Sequence, residues 1–261
     1  MRKAKGERNS DERSGTQSVE RAVGLLREIS ARGQFGWQLS DLSKQCGLNM
    51  STAHRILTCL VQEGLVKQRP GGRRYLPGPL LYELGLSALP ERWDLQHAAR
   101  SRLSALAGET SGVAFLFFRS GDDFVCGARV GKAELRAPVF PGTRLPLVLS
   151  SGGAAMLLAL PEPEALATVE RNLAHLADYS EVRIQAIRHM LDSSFAEGFG
   201  VNVGDIIPGV NAFGLPLCDA MGSPFAAIAV AGPAQAFPPE RRTEIYHLLE
   251  EAAIGLRAAR C

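Results

Sequence analysis

Every apolar run in this chain is broken by Gly, Pro or charge before it reaches the length of a membrane span, and the first residues are basic and polar rather than apolar. Both absences argue for a soluble, cytoplasmic protein without a signal peptide. Cysteine is scarce and scattered: Cys46, Cys59, Cys126, Cys218 and Cys261 form no CxxC pair, are odd in number, and have no histidines around them at ligand spacing. That excludes a disulfide framework and a structural metal site, and leaves reduced thiols, mostly small core residues. Catalytic signatures are missing too. There is no GxSxG elbow, no phosphate loop ending in Gly-Lys-Ser/Thr and no HExxH. The glycines Gly198, Gly200 and Gly204 miss the dinucleotide spacing by one residue and precede a strand instead of following one. His97, His175, His189 and His247 fall on helical stretches without a nucleophile or ligand beside them. No catalytic residue, metal site or cofactor is therefore expected, and the chain does not read as an enzyme.

What is present is enough apolar residue, 46% of 261, for two cores of unequal size. The net charge of +2 is unevenly divided. Residues 1–89 carry 14 Lys and Arg against 8 Asp and Glu (+6), whereas 90–261 carry 15 against 19 (−4). Only the first part suits a polyanion.

Residues 1–16 are polar and charged with almost nothing to bury, and are expected to form a flexible tail. From Ser18 the pattern changes: Val19, Ala22, Val23, Leu26 and Ile29 recur at helical spacing up to Gly33. A short second helix begins near Leu39 and stops at Gly47, and Asn49 caps a third, predicted over Met50–Glu63. Two short strands are predicted around Pro70-Gly71-Gly72, a basic hairpin directly after the third helix. These elements make a winged helix-turn-helix domain over 17–78, followed by a linker helix within 79–92. In 93–261, helices near both ends and strand runs in hairpins predict an α+β domain on a largely antiparallel sheet.

The third helix has a readable outer face. With Ala53, Leu57 and Leu60 turned inward at 100° per residue, Ser51, Arg55, Thr58 and Gln62 point outward, with Thr52 and His54 on the flanks. Hydroxyl and guanidinium groups on a helix that follows a tight turn suit the major groove, and Arg55 can bond a guanine bidentately or clamp a phosphate. Lys67, Arg69, Arg73 and Arg74 on the wing would lie along the phosphate backbone. The expected partner is double-stranded DNA.

Ser18-Val19-Glu20-Arg21-Ala22, Gly47-Leu48, Ser51-Thr52-Ala53-His54-Arg55-Ile56-Leu57, Leu60 and Glu63-Gly64-Leu65-Val66 closely resemble the N-terminal domain of IclR-type bacterial regulators. Arg74-Tyr75-Leu76-Pro77-Gly78, Gly142-Thr143-Arg144-Leu145-Pro146-Leu147, and the blocks Gly198-Phe199, Pro208-Gly209-Val210 and Ala231-Gly232-Pro233 extend the resemblance over residues 17–257. The resemblance implies a GAF-like C-terminal domain that binds small organic molecules, often carboxylic acids. It places the pocket amides on Gly152, Gly153 and Ala154, the polar side-chain positions on Asn202, Ala212, Ala229 and Ala231, and an acidic position on Asp205. The chain departs from the family pattern at Ala154, where Lys is usual, and at Ala212, Ala229 and Ala231, where Cys or Ser is usual. A pocket lined by Ala favours a larger or more apolar effector, such as an aromatic acid. Without the resemblance, the small residues from Ser150 to Ala154 that open a helix already suit a carboxylate at its positive end, or else serve close packing of loop on sheet. Asp205 reads equally as a loop cap.

These features together read as a homodimeric or tetrameric regulator on a pseudo-palindromic operator, controlled by a small organic acid. Two other readings remain at this point: a regulator with a vestigial sensor pocket, and a small-molecule-binding module whose winged helix serves protein contacts.

Overall fold

An asparagine that accepts from the chain three residues ahead starts the most regular part of the molecule: the Asn49 side chain takes the amide of Thr52 at 2.8 Å and launches α3. The structure is a computed structural model that describes residues 8–69, 71–88, 90–132, 135 and 139–258. Its chain divides into two compact units, Met1–Leu89 and Pro90–Cys261.

In the first unit, α1 (Arg8–Arg32), α2 (Leu39–Gln45) and α3 (Met50–Gln62) surround Leu25, Ile29, Leu42, Leu57 and Leu60. Gly47 turns the chain between α2 and α3 at φ +62°, a conformation costly for any side chain with a Cβ. Strands β2 (Val66–Gln68) and β3 (Arg74–Pro77) make the wing, and β1 (Trp37–Gln38) adds a third antiparallel strand in the order β1-β3-β2. At two residues, β1 is too short to show an alternating pattern in the sequence. Helix α4 (Pro79–Ala88) follows, with Pro79 in the first turn where its missing N–H costs nothing.

Several expectations need correction here. Residues 8–16, assigned to a flexible tail, belong to α1, while 1–7 lie outside the described residues. Val19 and Val23, expected to face inward, are exposed; the buried residues of α1 are Leu25 and Ile29. Residues 90–92, assigned to the linker, open the first helix of the second unit, because Pro90 is a favourable first residue rather than a stop. Leu89 and Pro70 lie outside the described residues.

The second unit is built on an antiparallel sheet of order β6-β5-β4-β9-β8-β7. Its strands are β4 (Val113–Ser120), β5 (Asp123–Val130), β6 (Arg144–Pro146), β7 (Gly200–Val203), β8 (Val210–Cys218) and β9 (Pro224–Pro233). Strand side chains alternate between faces, and here both faces are buried. Ala114, Leu116, Ile228 and Val230 pack under α5 (Pro90–Thr110) and α9 (Arg242–Ala258). Phe115, Phe117, Ala229 and Ala231 face the other way, toward α6 (Ser151–Leu158), α7 (Glu162–His175) and α8 (Glu181–Glu197).

Helix α6 lies flush on the sheet because glycines meet there. A Cβ on Gly200 would fall 1.9 Å from the Ser151 carbonyl, and one on Gly214 would fall 2.9 Å from the backbone of Gly152. The thiols are less uniform than expected. Cys126 is buried and its ionisation is pushed up to about 12 by that burial, but Cys59 is exposed and Cys46 and Cys218 are half-buried. Cys261 lies outside the described residues.

Candidate nucleic-acid interface and effector cavity

The outer face of α3 is polar because its inner face is fully committed: Ala53 and Leu57 are wholly buried and Leu60 nearly so. Ser51, His54, Arg55 and Thr58 are exposed, and Thr52 is partly so. Two hydroxyl protons on this face are already used, since Ser51 Oγ donates to Asn49 Oδ1 at 2.9 Å and Thr58 Oγ1 to the His54 carbonyl at 2.9 Å. What these two present outward is oxygen lone pairs, complementary to amino groups on base edges. Met50 is also exposed at the helix start, where nothing in the apolar periodicity of α3 distinguishes it from a core residue.

The wing hairpin closes through Arg69 N to the Arg74 carbonyl at 3.1 Å and Gly72 N to the Arg69 carbonyl at 3.0 Å. This leaves Lys67, Arg69 and Arg73 exposed. Arg74 differs from its three neighbours. Its Nη1 donates to the carbonyls of Phe35 at 3.3 Å and Gly36 at 3.1 Å, so it ties the wing to the turn after α1. Behind that turn, Trp37 Nε1 donates to the Glu28 carbonyl at 2.8 Å and the Arg32 guanidinium lies 4.0 Å from the Trp37 ring centre. Burial raises the Glu28 carboxyl above its ordinary value, against weaker lowering by Gln45 and Arg32.

In the second unit, a cavity of about 500 Å³, counting the solvent at its mouth, lies between the sheet and the start of α6. Its floor is Phe115 and Phe117 on β4, Ala229 and Ala231 on β9 and Ala212 on β8. The two rings stack with centroids 5.4 Å apart. Ile206, Ile207, Leu135 and Val139 close it from loops, and Ser150, Ser151 and Asn202 are its polar members. Val139 is held by Arg129, whose Nη1 donates to its carbonyl at 2.9 Å.

Of the expected pocket residues, Asn202, Ala212, Ala229 and Ala231 line this cavity; Gly152, Gly153, Ala154 and Asp205 do not. The reason for the glycines is packing. Gly152 lies against the Phe117 ring and Gly153 against the Leu147 carbonyl, each with no room for a Cβ, and Ala154 is buried in the helix beyond them. The Gly153 amide donates to the capping Ser150 hydroxyl at 2.9 Å, and the first helical bond runs from Ala154 N to the Ser150 carbonyl at 2.9 Å, so the amides of Ser151 and Gly152 have no acceptor within the helix.

Asn202 and Asp205 are joined in one turn. Asn202 Oδ1 accepts from the amides of Asp205 and Ile206 at 3.0 and 3.2 Å, which aims the isoleucines at the cavity. Asp205 turns away: Oδ1 meets His189 Nδ1 on α8 at 2.7 Å and Oδ2 accepts from Val203 N at 3.2 Å. This pair was beyond reach of the sequence, being a contact between residues 16 apart on different elements.

Among the described residues no helix is long and apolar enough to cross a membrane. A wing joined to a helix-turn-helix, with a second α+β unit enclosing a cavity, defines a DNA-binding transcriptional regulator with a separate ligand-binding domain. Residues 18–70 match the IclR helix-turn-helix domain and residues 88–257 the bacterial transcriptional regulator IclR C-terminal domain. The chain belongs to the IclR family of bacterial transcriptional regulators.

It is 28% identical over 258 residues to the HTH-type transcriptional repressor AllR of Klebsiella pneumoniae, covering 97% of this chain and 93% of that one. To AllR of Escherichia coli K12 it is 27% identical over 249 residues, covering 94% and 90%. The IclR family transcriptional regulator from Brucella abortus shares the fold at a TM-score of 0.72 and 21% identity, over 97% of this chain and 96% of that one. An IclR homolog from Microbacterium hydrocarbonoxydans, solved with 4-hydroxybenzoate, does so at a TM-score of 0.67 and 21% identity, over 93% and 98%.

Proposed function

We propose that this chain is a homo-oligomeric repressor that occupies a pseudo-palindromic operator and is released or tightened by a small organic acid in the cavity of its second unit. The observation that carries the reading is the exposed row Ser51, Arg55 and Thr58 on α3, opposite a fully buried Ala53 and Leu57. Ser51, Thr52 and Arg55 lie nearest the helix start and contact base edges, with His54 and Thr58 beside them. Lys67, Arg69 and Arg73 neutralise phosphates. Arg74 acts mainly by fixing the wing, through its bonds to Phe35 and Gly36. Repression is the activity of the AllR relatives, and the 4-hydroxybenzoate complex of the Microbacterium homolog supports an acid as effector. The protein acts by occupying DNA and not by catalysis.

The test is quantitative footprinting on the DNA flanking its own gene, across a salt series. A protected inverted repeat whose affinity falls steeply and linearly in log salt is the expected result. Binding that shows no protected repeat and no salt dependence would reassign the winged helix to protein contacts.

A further inference from the structure

One apolar side chain stands at the reading end of α3, where its neighbours Asn49, Ser51 and Thr52 are polar. Met50 sits seven residues before Leu57, two turns along the same side of the helix, so its phase is that of the core. Leu57 is wholly buried, yet Met50 is 55% exposed and belongs to no part of the cluster around Leu25 and Leu57. Side chains on a helix lean toward its N-terminus, so Met50 extends past the first turn instead of back over the core.

The polar groups of that turn are folded in on themselves. Asn49 Oδ1 accepts from Ser51 Oγ at 2.9 Å and from the Thr52 amide at 2.8 Å, so the cap and the first hydroxyl proton serve the helix. Met50 adds nothing to the cap and little to the core. Its surroundings favour a polyanion: no acidic residue occurs from Met50 to Gln62, Arg55 is exposed just beyond, and residues 1–89 carry 14 Lys and Arg against 8 Asp and Glu. In the major groove of a duplex, the apolar group on a base edge is the C5 methyl of thymine. A flexible, polarizable thioether can fold over such a methyl group.

We propose that Met50 is a specificity-determining residue that reads the C5 methyl of one thymine in each half-site. This rests on the reading of the chain as an operator-binding regulator. Arg55 and Met50 then discriminate by different chemistry, the first by hydrogen bonds and the second by excluding water from one methyl group. A cytosine at the same place offers an amino group and no methyl, and leaves the thioether against a polar edge.

Deoxyuridine differs from thymidine by that methyl alone and pairs with adenine in the same way, so it isolates the contact. Each thymine of the protected repeat is replaced in turn by deoxyuridine in synthetic duplex DNA, and the full-length protein is titrated against each duplex. At one position per half-site the loss of the methyl should weaken binding about fourfold, and about fifteenfold when both half-sites are changed. Met50→Ala should bind the thymine operator at least as weakly as the natural protein binds the doubly substituted one, and should no longer distinguish the two. Met50→Leu, which keeps an apolar tip, should keep most of the ratio. If Met50→Ala does not fold, Met50→Gln, of similar length with a polar tip, is read in its place. A repeat in which no thymine responds, or a response that the Ala or Gln variant leaves intact, overturns the proposal while operator binding stands. The absence of any protected repeat would remove operator binding itself, and this contact with it.

Discussion

The first unit gathers its contacts around a few wholly buried residues, Leu25, Ile29, Leu42 and Leu57, whereas the second sandwiches a six-stranded sheet between two apolar clusters. The small core leaves little redundancy, since each side chain in it holds several elements together. The large one surrounds a cavity beside its sheet that opens to solvent at its mouth. The unit that reads DNA needs a fixed shape, and the unit that holds a ligand needs spare volume.

The sharpest way to break this comparison is to truncate each core. Leu57→Ala should cost about 2–5 kcal/mol and unfold the first unit, abolishing operator binding. Calorimetric scanning should show one transition lost or lowered, while ligand binding to the second unit persists. Gly200→Ala presses a methyl group onto the Ser151 carbonyl and should cost about 1–3 kcal/mol in the second unit only. A shared single transition for both variants would mean that the units do not fold separately.

Arg55→Ala leaves both cores intact and should weaken operator binding by about 1–3 kcal/mol while sparing random DNA. Arg73→Ala should weaken both alike and lower the salt slope by about one. Equal losses on operator and random DNA for Arg55→Ala would remove it from base reading.

The smallest expected difference concerns acid. Burial raises the Glu28 carboxyl above 4.5, so its ionisation opposes folding of the first unit as pH rises through the folded value, and below 4.5 the penalty vanishes. Glu28→Gln should therefore raise the first transition at pH 7 and leave it unchanged near pH 3.5. In the second unit the Arg171 bond lowers the Asp122 carboxyl below 3.8, a contribution present above that value and lost as pH falls through the folded one. Asp122→Asn should then lower the second transition at pH 7, by an amount typical of surface pairs.

The same contrast decides how much of each unit is legible in its residues. The three helices were legible because each carries one apolar stripe and a local stop or cap, such as Gly47 and Asn49. The cavity was only half legible. Strand β4 reads Val-Ala-Phe-Leu-Phe-Phe, apolar on both faces, so nothing in it distinguishes Phe115 and Phe117 from Leu116. The glycines at the start of α6 read as ligand-facing amides, yet Gly152 and Gly153 are glycine because a ring and a carbonyl press on them. Arg74 read as one more wing cation, and only the fold brings it to carbonyls 38 and 39 residues away. In each case the deciding contact is long-range, and local pattern carries no trace of it.

The period of two along β9 has a mechanical corollary. Ala229 and Ala231 floor the cavity, while Ile228 and Val230, their immediate neighbours, press on the opposite layer with α5, the helix by which the second unit begins. Occupant and helix thus bear on the two sides of one thin wall. A molecule that pushes or flattens that wall from beneath can be felt above it without touching anything there, and the peptide plane between two residues is the whole distance the message has to travel.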